Sequence, residues 1–189
     1  MEKLTERLRL REFTRNDVGA VAEFRKDPRY LEFYYRPPYT REECVRFVEK
    51  CIAWSGENPR TRFHLAITDR AGEVLFGNCG VRKESIETLR GDVGYELSPA
   101  YWGNGYATEA VRAMLDFGFA DLELHEIEAR CVAANKRSVR LLHRLGFEAT
   151  ERMQPGQCRD EFTDRMLPER RVFLLSRDQW IHSMSGLNA

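Results

Sequence analysis

The sequence predicts one α/β domain built on a mixed sheet, and three observations carry that reading. Residues 93–115 run from a strand with two unlike faces, through a glycine turn, into an amphipathic helix. Residues 127–147 repeat the scheme as strand, capped helix and glycine stop. Around these two units the chain alternates short strands with helices and shows no internal repeat or low-complexity linker. A chain of 189 residues suits a single core, and we expect the domain to span 1–189 with its body at about 5–178.

In chain order, residues 7–13 alternate around Leu8 and Leu10 and form a first strand. Asp17 is placed to cap a helix running to about Phe24, with Val18, Val21 and Ala22 inward, and Asp27-Pro28 ends it. Pro37-Pro38 opens a turn. Thr40-x-x-Glu43 is a capping-box pattern that starts a helix reaching about Trp54, with Val45, Val48 and Ile52 on its inner face. Residues 62–68 and 74–82 read as paired strands around Asp69-Arg70-Ala71-Gly72. Val93, Tyr95 and Leu97 share one face of the next strand and Asp92, Gly94 and Glu96 the other. Pro99 ends that ladder, and from Ala107 the apolar spacing is helical through Val111, Met114, Leu115 and Gly118. A strand at 127–132 precedes a helix capped by Asn135 and closed at Gly146; Phe147 begins another strand, and 171–176 is a late one. The order is β-α-α-β-β-β-α-β-α-β-β.

Bulk properties exclude several classes. Thirty basic and thirty acidic residues cancel, so no strong field favours nucleic acid. No apolar run approaches a membrane span, and the opening Met-Glu-Lys-Leu-Thr-Glu-Arg holds no signal-peptide core. Cys44, Cys51, Cys79, Cys131 and Cys158 are odd in number and lack Cys-x-x-Cys spacing, which predicts reduced thiols in a cytoplasmic protein and neither a disulfide framework nor a metal site.

The chemistry is concentrated at residues 96–110, Glu-Leu-Ser-Pro-Ala-Tyr-Trp-Gly-Asn-Gly-Tyr-Ala-Thr-Glu-Ala. Glycines before a helix start let a ligand approach the main chain, and the free N–H groups there suit a phosphate. Three readings meet at this segment: a turn that binds nothing, a dinucleotide turn, and a pyrophosphate loop. Gly103-x-Gly105-x-x-Thr108 lacks the third glycine of the dinucleotide fingerprint, and Ser98 to Trp102 separate its glycines from the strand.

The segment resembles the pyrophosphate loop of the GNAT superfamily of acyl-CoA N-acyltransferases. The pattern Gln/Arg-x-x-Gly-x-Gly/Ala maps onto residues 102–107, with Trp102 at the usual Gln/Arg position. Its longer form looks like the branch of the ribosomal-protein N-terminal acetyltransferases, the RimJ/RimL type. Asn135-x-x-Ser138 through Gly146-Phe147, about thirty residues beyond the glycines, is similar to a second motif of the family. The resemblance implies a mostly antiparallel twisted sheet flanked by helices and an acetyl-CoA-dependent N-acetyltransferase without a metal. The acceptor would be a protein N-terminal α-amine or a small-molecule amine.

The same resemblance implies the site. Leu97, Trp102, Gly103, Asn104, Gly105, Tyr106, Ala107 and Thr108 would hold the co-substrate, with the backbone carrying the pyrophosphate; Asn135 and Ser138 would lie along the pantetheine arm. A backbone N–H at the end of strand 92–97 would meet the oxyanion. Glu96, one residue before the strand end, is the first candidate for the base, with Asp92 and Glu128 in reserve. Ser138 matches the hydroxyl expected near the CoA sulfur.

Many relatives carry a tyrosine acid four residues further on, where Leu142 stands here, so Ser138, water or another tyrosine must serve. Arg130 replaces a glutamate used as base in RimI-type relatives. His143 is out of phase with Ser138, and Cys131 reads as a packed strand residue. In the family the segment between the first two helices lines the acceptor cleft. Here it holds Tyr30, Phe33, Tyr34, Tyr35 and Tyr39, of which Tyr34 and Tyr35 are the expected acceptor contacts, together with Glu96. Residues 152–170, with Asp160, Glu161 and Asp164, would line the other side. A homodimer is possible. The reading from another class is a non-catalytic acyl-CoA sensor of the same fold.

Overall fold

The computed structural model describes residues 1–33, 37–153 and 169–185. Eight strands form one sheet in the order β1-β2-β3-β4-β5-β6-β8-β7. They are β1 (Glu2–Leu4), β2 (Leu8–Arg11), β3 (Arg62–Asp69), β4 (Leu75–Lys83), β5 (Arg90–Leu97), β6 (Glu126–Val132), β7 (Glu148–Met153) and β8 (Arg170–Ser176). Every neighbouring pair is antiparallel except β5 and β6, which run parallel. That single parallel pair needs a crossover, and α4 (Tyr106–Asp116) supplies it.

One face of the sheet is covered by α1 (Val18–Phe24) and α3 (Arg41–Ser55), with the short α2 (Pro28–Leu31) beside them. The other carries α4, α5 (Lys136–Arg144) and α6 (Arg177–Ser185). Two apolar clusters result. Val21, Phe24, Phe47 and Val48 pack on the first face; Val81, Val93, Met114, Ile127 and Phe173 pack on the second. The alternation of β5 assigns its residues to them: Val93 and Leu97 belong to the α4 side, whereas Glu96 turns toward α1.

Local signals act as expected at most positions. Thr40 Oγ1 accepts from the Glu43 N–H while the Glu43 carboxylate accepts from the Thr40 N–H, closing the capping box of α3. Asn135 Oδ1 accepts from the Ser138 N–H at 3.1 Å. Gly146 has φ +90°, as a left-handed helix stop requires. Asp17 behaves otherwise. It makes no side-chain cap bond to α1; its carboxylate accepts from the Thr14 N–H at 2.7 Å and pairs with Arg11 at 2.8 Å. The helical turn starts earlier, at Thr14, so Asp17 is already helical and closes the capping box of that turn. The edge strand β1, the short helix α2 and the helix α6 were not anticipated. β1 is three residues long and only partly buried, so its sequence carries little periodicity. The apolar residues of α6 give no clear helical stripe.

Candidate active site

β5 and β6 stay paired only from Arg90↔Glu126 to Val93↔Ala129. Beyond that point β5 follows β4 as far as Gly77↔Leu97, and β6 follows β8 as far as Val132↔Arg170. The strands therefore separate in the middle of the sheet. A cavity of about 440 Å³ occupies this fork, bordered by residues 93–97 of one strand and 130–132 of the other. An opening between parallel strands leaves unpaired backbone groups facing a ligand.

At one end of the cavity lies the glycine loop. Gly103 and Gly105 have φ of +83° and +80°. A notional Cβ on Gly103 would meet nothing within 4 Å, so the backbone dihedral, and not crowding, calls for glycine there. Trp102 Nε1 donates to Leu97 O at 2.8 Å and ties the loop to the end of β5. α4 begins without a side-chain cap, and its first bond, Glu109 N–H to Gly105 O, leaves the preceding amides open. Arg7 holds this helix start from behind. It pairs with Glu109 at 2.7 Å, stacks over the Tyr106 ring at 4.7 Å and donates to Asn104 O at 2.9 Å.

Five arginines border the cavity: Arg130, Arg137, Arg140, Arg144 and Arg170. Glu96 is the one carboxylate among the described lining residues. This imbalance favours an anionic ligand. Arg137 is further steadied over the Trp102 ring at 4.6 Å.

Glu96 faces the opposite side of the sheet from the loop's helix. Its Oε2 accepts from Arg25 Nη2 at 2.6 Å, Arg25 Nε at 3.1 Å and Asn78 Nδ2 at 3.0 Å. Its Oε1 accepts from the Tyr30 hydroxyl at 2.8 Å. Arg25 is 2% exposed and lies against the Phe47 ring at 3.8 Å, whereas the Glu96 side chain keeps 19% exposure and reaches the cavity. Burial opposes ionisation of Glu96, but Arg25 and the donated hydrogen bonds outweigh it and hold the carboxyl below the usual glutamate range. Asn78 continues inward, its Oδ1 2.8 Å from His64 Nε2. Burial and the charge of Arg82 lower His64 to about 4, so the imidazole is neutral.

On the other face, the Tyr95 hydroxyl lies 2.7 Å from Ser138 Oγ. Burial pushes both the Tyr95 phenol and the neighbouring Cys131 thiol up. A thiol held protonated is a poor nucleophile, consistent with packing as the role of Cys131.

A family model of the acetyltransferase (GNAT) domain matches residues 7–148. The chain belongs to the GNAT acetyltransferase family. An uncharacterised N-acetyltransferase, p20, of Bacillus licheniformis is 32% identical over 150 residues, covering 78% of this chain and 83% of the relative. Among solved structures, a GNAT-family acetyltransferase from Bacillus anthracis superposes with a TM-score of 0.74 at 23% identity, covering 94% of this chain and 99% of the other. The ribosomal-protein-S5-alanine acetyltransferase of Vibrio fischeri gives 0.74 at 19% identity, covering 95% and 98%. The family match and the relative agree with the N-acetyltransferase class, and the solved structures agree with the GNAT fold.

Against this GNAT frame, Leu97, Trp102, Gly103, Gly105, Tyr106, Ala107, Thr108, Asn135 and Ser138 all line the cavity. Asn104 does not; its side chain donates to the carbonyls of Tyr101 and Trp102 at 3.3 and 3.2 Å and shapes the loop. Tyr34, Tyr35 and nearly all of the polar segment 152–170 lie outside the described residues. Tyr30 and Tyr39 are core rings, and Tyr30 also reaches Glu96. The reserve carboxylates are already paired, Asp92 with Arg82 and Glu128 with Arg130. His143 is exposed on α5. Sequence reasoning missed Arg25, Asn78 and Tyr95, whose types carry no local signature. It also gave no role to Arg137, Arg140 and Arg144, although their spacing on α5 beside the loop was a usable signal. No described helix is long and apolar enough to cross a membrane.

Proposed function

We propose that this GNAT protein is an acetyl-CoA-dependent N-acetyltransferase that acetylates a primary amine, either a protein N-terminal α-amine or a small-molecule amine, by direct attack within a ternary complex. One observation carries the reading. The forked cavity joins an uncapped, glycine-led helix start at one end to an anchored carboxylate, Glu96, on the opposite face of the sheet.

In this reading the amides of residues 105–108 and the arginines of α5 bind the phosphates, and the fork between β5 and β6 takes the pantetheine arm. A β5 amide beyond the last paired residue is available to the oxyanion. Glu96 receives the amine proton, directly or through water. A carboxylate held below the usual range is a weak base toward a free ammonium. It becomes adequate as the C–N bond forms, because the nitrogen then turns sharply more acidic. Glu96 Oε1 is the atom for this role, since three donors occupy Oε2 and one occupies Oε1.

Thermal unfolding with acetyl-CoA, CoA and NAD tests the co-substrate. A ligand at a hundredfold excess over its Kd stabilises the native state by about 2.7 kcal/mol. A rise with both CoA species and none with NAD supports the reading; no rise with either CoA species overturns it. Thiol release with a panel of primary amines then separates the enzyme from a non-catalytic sensor, which would bind CoA tightly and turn nothing over.

A further inference from the structure

We infer that Tyr95 is a positioning residue that aims the Ser138 hydroxyl at the leaving sulfur, so that the two hydroxyls serve the place filled by a helix tyrosine in many relatives. The inference rests on the N-acetyltransferase reading above. Tyr95 and Glu96 are consecutive in β5 and project to opposite faces of the sheet at the mouth of the fork. A thioester lying in the fork therefore has the acceptor side, with Glu96, on one face. On the other it has the α5 side, with Tyr95 and Ser138.

Either hydroxyl can donate across the 2.7 Å contact. A phenol is the stronger acid, and in this inference Tyr95 donates and Ser138 Oγ accepts. The proton of Ser138 is then left for a third atom, and the Cys131 sulfur, which also borders the cavity, is within its hydrogen-bond reach and competes for it. Asn135 caps the amide of Ser138 and holds the start of α5 in place. The raised Tyr95 keeps its own proton through the cycle and works as a fixed donor.

The step balances simply. The amine nitrogen forms the C–N bond, and the C–S bond breaks with its electron pair on sulfur. Ser138 Oγ–H donates a hydrogen bond to the thiolate and keeps its proton, because an alkoxide is a far stronger base than a thiolate. The thiolate leaves as the anion or takes a proton from solvent water, and the proton lost by the amine leaves through Glu96.

Ionisation of bound CoA tests this without any acceptor, using thiolate absorbance in the ultraviolet as pH is raised. In the wild type the bound thiol should titrate about one unit lower than in Tyr95→Phe or Ser138→Ala, because a donated hydrogen bond favours the anion. Ser138→Thr, which keeps the hydroxyl, should restore the wild-type value. With an amine that turns over, Tyr95→Phe should lower kcat about tenfold with KM for acetyl-CoA within twofold. The double variant Tyr95→Phe/Ser138→Ala should be no slower than Ser138→Ala alone, since the two act as one device. Tight CoA binding with the same thiol pKa in all four proteins overturns the inference while leaving the function standing. Failure of the wild type to bind CoA overturns both.

Discussion

Arg25 and Glu96 lie 71 positions apart in the chain and meet inside the protein through two hydrogen bonds to one oxygen, at 2.6 and 3.1 Å. The guanidinium is 2% exposed and stacked on Phe47 and Tyr39, so it has no solvent to fall back on. An arrangement of this kind fixes a carboxylate in one orientation at a cost in desolvation, which only the partner offsets.

Removing one partner should therefore be severe. Arg25→Met is expected to destabilise the fold by about 3–5 kcal/mol in urea titration, because Glu96 is left as an uncompensated charge. Arg25→Met/Glu96→Gln should lose clearly less than the sum of the single changes. Additive losses would show that the two groups are energetically independent.

The same cage is expected to set the acid side of the rate profile, Glu96 being the proposed base. With Glu96 held below the usual range, kcat should persist through the pH region where an ordinary glutamate protonates, and fall only below it. The alkaline rise should follow deprotonation of the acceptor. Arg25→Gln should move the acid limb upward. An unmoved limb would assign it to another group.

His64 makes stability itself depend on pH. Its folded value of about 4 lies below the ordinary value of 6.5, so the unfolded chain binds a proton that the native state refuses. Stability from this group is complete above the ordinary value. It is lost progressively as pH falls between the two, by about 3 kcal/mol in all. His64→Gln should flatten that part of the curve of unfolding free energy against pH. The position is tight, since a Cβ on Gly80 would sit 2.8 Å from His64 Nδ1, and Gly80→Ala should also destabilise the protein.

The arginines of α5 should govern co-substrate affinity more than turnover. Arg140→Ala and Arg144→Ala are each expected to raise KM for acetyl-CoA several-fold with little change in kcat, and to weaken its dependence on salt. Gly105→Ala, at φ +80°, should cost about 1 kcal/mol of stability and also raise that KM by displacing the helix start.

How much of this was legible depended on distance along the chain. The glycine loop, the Thr40/Glu43 box, the Asn135 cap and the Gly146 stop were all readable, because each is a bargain among backbone groups a few residues apart. The two-faced strand 93–97 was readable because side chains alternate with period two. Glu96 was picked out by its place near the strand end, but its setting was not. Asp17 shows the limit of local reasoning: the pattern made it the cap of α1, whereas the helical turn starts at Thr14 and Asp17 pairs with Arg11.

The sequence by itself determined the fold class, the glycine-led start of α4 and the order of the central elements, since short-range sterics and hydrogen bonding act within a window of a few residues. Only the tertiary structure decided that Arg25, Tyr30 and Asn78 converge on Glu96, and that Tyr95 meets Ser138. Those contacts join residues 18 to 71 positions apart. Their types suit many surroundings, and packing of the two helical layers on a forked sheet is what brings them within reach.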